Sequence, residues 1–234
     1  MSTDYLTDQG LGHGRNWSAL PADGGPLEWS IDPEGEMIQG PLDLEFMRGQ
    51  RFSLVLEEGQ LALLTRDRKL MGVYLDGVHT LDVGTDEKQI PTDGRLIFLA
   101  ADRTIDLMWN RREPLAVGNG RGVRLIGGCN LVIERPARFY RTFLDASEGQ
   151  DPDFVMRLID QMVRGMFEEI FADLDVNDQA SAATLQSRVM GLGPADLADD
   201  LDACGLRCVN LALYTSAPPV EMGLTESEPV VVGS

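Results

Sequence analysis

The feature that most constrains this chain is a change of hydrophobic period at Pro136. Before it, short apolar runs alternate with turns, and after it apolar residues recur every three or four positions. The first regime is plain in R-F-S-L-V-L-E-E-G-Q-L-A-L-L-T-R-D-R-K-L-M-G-V-Y-L-D-G, Arg51 to Gly77. Strands are predicted at 52–56, 60–65 and 70–75, with turns at Glu58-Gly59, Arg66-Asp67 and Asp76-Gly77. A run from Arg95 to Ala100 leads into Thr104 to Trp109, and a longer strand covers Gly122 to Glu134. Gly127-Gly128 in its middle predicts a bulge or a close approach by another backbone.

In the second regime Pro136 opens a short helix, Ala137 to Leu144. A long amphipathic helix follows from Pro152 to about Leu174, its apolar pairs running from Phe154/Val155 to Ile170/Phe171. A second helix spans Gln179 to Met190, and a third begins near Pro194 and stops at Gly205, a residue suited to the left-handed position after a helix. A closing strand, Leu206 to Thr215, ends before Pro218-Pro219. Strands, then three helices, then one strand define an α+β fold: a mostly antiparallel sheet with helices packed on it. Residues 1–48 read as an irregular arm rich in Gly and Pro, with short edge strands at Leu27 to Ile31 and Glu36 to Gln39. Residues 49–219 form the domain, and residues 220–234 a disordered acidic tail.

Charge narrows the partners. The formal net charge is -18 over 234 residues, which argues against nucleic acid and against direct adsorption to an anionic bilayer. The N-terminus lacks the basic and then apolar pattern of a signal peptide, and no run reaches the length of a membrane span. The cytoplasm is the expected compartment, with membrane contact only through a partner. The charge is also unevenly placed. From Arg103 to Arg141 eight arginines face three acids, a net of +5, whereas Asp145 to Asp202 carries a net of -11. Such segments are either two differently solvated surfaces or complementary faces of neighbouring copies. In the second case Arg111, Arg112, Arg121 and Arg124 meet Asp151, Asp153, Asp160, Glu168 and Glu169 of the next copy.

No catalytic, cofactor-binding or metal-ligating residues are assigned. Cys204 and Cys208 are four positions apart, but a structural zinc site needs four ligands, and Cys129, His13 and His79 are scattered singly. The pair reads as a helix stop and a strand start. V-G-N-G-R-G at 117–122 lacks the spacing of a dinucleotide loop and reads as a hairpin turn. Glu168-Glu169 and Asp199-Asp200 sit on polar helix faces, and Met156, Met162 and Met166 lie along the apolar stripe of the long helix.

Three stretches carry a family resemblance. Q-R-F-S-L-V-L-E-E-G-Q-L-A-L-L-T-R-D-R-K-L-M-G-V-Y-L-D-G-V-H-T-L resembles the opening hairpins of SPFH (band 7, prohibitin-homology) domains. I-D-L-M-W-N-R-R-E-P-L and V-R-L-I-G-G-C-N-L-V-I-E-R-P-A-R-F-Y-R-T-F-L resemble the core strands and the helix after them, and G-L-R-C-V-N-L-A-L-Y-T-S-A-P-P the closing strand. The soluble bacterial, virion-core-like branch is the nearest in pattern. The resemblance covers roughly Gln50 to Pro219 and lies in order and spacing. The membrane-inserting segment, long coiled coil and zinc ribbon of other members have no counterpart in it. It implies a non-enzymatic scaffold that oligomerises and is recruited to a membrane-stress or protein-quality-control assembly. The alternatives are a monomeric protein-binding module whose Trp17/Trp29 arm clasps a partner and, remotely, a hydrolase built on separated carboxylates.

Overall fold

Turn chemistry sets the boundaries of the first strands. β3 (Arg51–Leu56) passes to β4 (Gln60–Arg66) through Gly59, whose φ of +79° favours a residue without Cβ. β4 passes to β5 (Lys69–Tyr74) through Asp67 and Arg68, both left-handed at φ 48° and 62°. Two such residues between paired Arg66 and Lys69 make a tight hairpin turn matching the strand twist. The computed structural model describes residues 27–32, 34–86, 89–110, 114–117, 121–145, 152–172 and 179–221. Among them the fold is α+β, mostly antiparallel, and divides into two compact units.

Unit 1 draws on Met1–Ile105, Val132–Ile159 and Leu201–Arg207. Its strands also include β1 (Leu27–Ser30), β2 (Ile38–Asp43), β6 (Gly77–Gly84), β7 (Ile90–Pro91) and β8 (Arg95–Ala100). They form two four-stranded sheets, ordered β1-β3-β6-β7 and β2-β8-β4-β5. One core joins them, with Trp29, Phe52 and Leu54 from the first sheet and Leu42, Ala62, Leu64, Leu96 and Phe98 from the second. Trp29 stacks on Phe98 with ring centroids 3.3 Å apart. Each leucine or phenylalanine among them, taken fully out of water, contributes about 1.5–3 kcal/mol.

The first strands thus belong to the core. β1 pairs parallel with β3 from Leu27↔Phe52 to Ser30↔Val55, and β2 pairs antiparallel with β8. The limit of the expected arm at residue 48 therefore coincides with no structural boundary on its C-terminal side. β6, β7 and the two parallel pairs, β1–β3 and β6–β7, were not anticipated.

Unit 2 draws on Asp106–Leu131, Asp160–Asp200 and Cys208–Ser234. Most of β9 (Ile105–Asn110), β10 (Leu115–Val117), β11 (Arg121–Ile133) and β12 (Leu206–Glu221) lies here, with β11 paired to the other three. The glycine pair of β11 explains the close packing. A Cβ on Gly127 would strike the Ala212 carbonyl, and one on Gly128 would strike the Leu107 carbonyl and lie 2.6 Å from the Met108 sulfur. Val117 pairs with Arg121, and residues 118–120, the middle of the expected hairpin turn, lie outside the described residues.

The helices are α1 (Pro136–Phe139), continued by a π turn over Tyr140–Leu144, then α2 (Pro152–Phe171), α3 (Gln179–Gly191) and α4 (Ala198–Ala203). On α2 the buried positions Val155, Ile159, Val163, Phe167 and Phe171 recur every four residues, and Met166 is buried beside them. After α4 the chain reverses at Gly205, φ +81°, where a Cβ would lie 2.6 Å from the Phe139 nitrogen. The Gly205 carbonyl accepts from the Glu134 and Arg135 N–H groups, both at 3.0 Å. No helix among the described residues is long and apolar enough to cross a membrane.

Candidate interaction surface

Among the described residues, one part whose apolar side chains the fold leaves uncovered is β5. Its register against β4 places Ala62 opposite Tyr74, Leu63 opposite Val73 and Leu64 opposite Gly72. Tyr74 leans onto the unit 1 core, and burial pushes its phenol above the ordinary tyrosine range. The alternate residues point away from that core. Met71 is 55% exposed, Val73 38%, Leu75 just past the strand 59%, and Val78 at the start of β6 70%. Scattered exposed apolar residues are ordinary, but Met71, Val73 and Leu75 alternate along one stretch and so make a row, while Val78 lies in the other sheet.

β5 is also the last strand of its sheet, so no strand among the described residues pairs with its outer edge. Such an edge offers backbone donors and acceptors to another strand. Gly72, mid-strand, has open space where a Cβ would stand. The flanks are fixed: Tyr140 Oη–H donates to the Arg68 carbonyl at 3.0 Å, and His79 Nε2–H donates to the Leu75 carbonyl at 2.7 Å. The His79 ring also meets Tyr74 edge-on at 5.3 Å, giving this histidine a structural role in the β5–β6 turn.

The residues assigned from charge are differently placed. Arg111, Arg112, Asp151 and Trp17 lie outside the described residues. Arg121 opens β11, and Arg124 is exposed on the same strand. Asp153 in the first turn of α2 is exposed, as are Glu168 and Glu169. Asp160 has a partner in its own chain, accepting from Trp109 Nε1–H at 2.8 Å, while the Trp109 ring meets Phe167 edge-on. Trp29 is 4% exposed and stacked in the core, so a clasping role is closed to it.

The cysteines regroup. Cys204 is half-buried in the turn after α4, whereas Cys208 and Cys129 are both buried, on the neighbouring strands β12 and β11. The Cys208 S–H donates to the Asn210 carbonyl at 3.3 Å. Its hydrogen bond with Cys129, burial, and nearby Asp160 and Asp106 push the Cys129 thiol far above its usual range. Cys129 therefore stays a neutral packed thiol. Among the described residues no group of three or more His, Cys, Asp or Glu is placed to hold a metal ion.

A cleft of about 270 Å³ in unit 1 is lined by Thr65, Arg66, Arg95 and Tyr140. Arg66 is bound to Asp93 at 2.9 Å and Arg95 to Asp43 at 2.7 Å, so these two guanidiniums are already neutralised. Burial, then the Asp145 carboxylate, raises the Tyr140 phenol. The β5 row escaped the sequence reading because L-M-G-V-Y-L is apolar on both faces, the pattern of a buried central strand. The chain matches no protein-family model and no curated protein.

Proposed function

We propose that this chain is a non-enzymatic scaffold, built on an SPFH-like domain, that works by associating with copies of itself. The observation that carries this reading is the row Met71, Val73 and Leu75 on an edge strand with no strand partner among the described residues. An apolar face on a sheet edge costs solubility unless something covers it. The order of elements supports the SPFH-like part. Strand hairpins, the amphipathic α2 and the stop at Gly205 follow in the order of the resemblance, whereas β12 runs on to Glu221 through Pro218-Pro219 instead of ending before them.

On this reading the scaffold serves a membrane-stress or protein-quality-control assembly, and contact with a membrane is indirect. The exposed charges of Arg124, Asp153, Glu168 and Glu169 lend it a secondary, salt-sensitive attraction. The test is the mass of the full chain in solution over a tenfold range of concentration. A multiple of 25.7 kDa supports association, and the monomer mass throughout rejects it.

A further inference from the structure

We infer that β5 pairs antiparallel with β5 of a second copy about a two-fold axis at Gly72, joining the two β2-β8-β4-β5 sheets edge to edge. The inference rests on the self-association just proposed and specifies its surface. Charge decides the occupant and its direction. The strand runs from a basic start, the exposed Lys69, to an acidic end, Asp76 two residues past Tyr74. Antiparallel pairing sets each basic start beside the other copy's acidic end. Parallel pairing would stack lysine on lysine and aspartate on aspartate. A strand with this polarity complements itself.

Side-chain period decides the register. The β4–β5 register shifts at Met71, between Leu64↔Gly72 and Thr65↔Leu70, yet exposure still alternates from Lys69 to Tyr74. The apolar row therefore stays on one face only if odd residues stand opposite odd residues. With Gly72 opposite Gly72, Met71 of one copy faces Val73 of the other, and Val73 faces Met71. Leu75 then covers the aliphatic stem of Lys69, whose ammonium lies next to Asp76 of the other copy. A side chain at position 72 would meet nothing within 4 Å in its own chain, so the position accepts a probe residue. The net charge of -18 disfavours an anionic lipid surface as the occupant.

Three forms of the full chain test this: the parent, Val73→Lys and Gly72→Cys. Light scattering gives masses over a tenfold concentration range, and circular dichroism confirms folding. The parent is expected as a dimer or a multiple of dimers, and Val73→Lys should weaken association at least about tenfold with an unchanged fold. Directly opposed strand residues have Cα atoms about 4.5–5.5 Å apart, within disulfide range. Mild oxidation of Gly72→Cys should therefore give a covalent dimer that the parent, with its own three cysteines, does not give. If Val73→Lys fails to fold, Met71→Lys takes its place. Association that persists in the lysine variant without the Gly72→Cys crosslink overturns this surface but leaves self-association standing. Loss of association without the crosslink overturns the axis at Gly72. A parent that is monomeric throughout overturns both readings, and flotation of that monomer with phosphatidylcholine vesicles, lost in Val73→Lys, would make lipid the occupant.

Discussion

β4 and β5 are neighbours of similar length and similar apolar content, yet they have opposite fates. In Q-L-A-L-L-T-R every residue but the last is buried, whereas K-L-M-G-V-Y alternates between exposed and half-buried. The difference is position. β4 lies between β8 and β5, and both of its faces are covered, while β5 has one strand neighbour. Apolar residues in β4 are therefore accounted for by the core of this chain, and Met71 and Val73 are not. In the association proposed above, a second copy covers them.

The contrast can be broken from either side. The largest effect is expected in β4, where Leu63→Ala should cost about 2–5 kcal/mol of stability, because the fully buried side chain leaves a cavity. Urea unfolding measures it, and a loss below about 1 kcal/mol would mean that β4 is not the core strand described. Val73→Lys, directly opposite Leu63, should leave monomer stability within about 0.5 kcal/mol while association weakens about tenfold. A large stability loss there would erase the distinction between the two strands.

The buried thiol of β11 offers a sharper contrast with the exposed row. An unfolded cysteine ionises near pH 8.5, while Cys129 in the folded chain holds its proton well above that. Its contribution is complete below about pH 8.5 and falls as pH rises beyond it, by at most about 1.4 kcal/mol per pH unit. Cys208, which accepts from Cys129, is held below its usual range and works in the opposite sense, so stability curves should drop only above about pH 8.5, and Cys129→Ala should remove that drop. A parent curve that stays flat would contradict the neutral packed thiol.

The turn joining the two strands gives a smaller effect. Arg68 holds φ at 62°, a strained value for an arginine, so Arg68→Gly should stabilise the monomer by up to about 1 kcal/mol. Destabilisation in a thermal melt would show that the Arg68 side chain contributes more than its backbone costs. The smallest effect belongs to the exposed β3–β6 pair Arg51–Asp82, at 2.6 Å. The hydrogen bond from Arg51 holds the Asp82 carboxyl below its usual range. Its contribution is present above the ordinary aspartate pKa and disappears as pH falls through the lowered one. Asp82→Asn should leave the melting temperature at neutral pH nearly unchanged and remove only this acid-side change.

How far the sequence reached depended on whether a signal was local. Arg95 to Ala100 was read with both ends in place, because a continuous apolar run was bounded by a charged residue and a turn. The stripe of α2 was legible from its four-residue repeat, and the stop at Gly205 from the steric need for a residue without Cβ. Gly127-Gly128 announced close backbone approach, and β12 and β9 supply it. Long-range pairings were hidden. Nothing local tells that Leu27–Ser30 lies parallel to β3, so Trp29 read as an arm residue although it is a core ring. Asp160 read as a surface charge because its tryptophan partner is 51 positions away. For the same reason Cys208 was first set beside Cys204, its neighbour in sequence, and the cross-strand Cys129 was missed.

The most direct measurement of the central claim is the solution mass of the full chain by light scattering, at low and high salt, beside Val73→Lys. The account predicts twice 25.7 kDa or a multiple of that, falling toward 25.7 kDa on dilution, loosening with salt and lost in the variant. A parent mass of 25.7 kDa at every concentration and salt would contradict it.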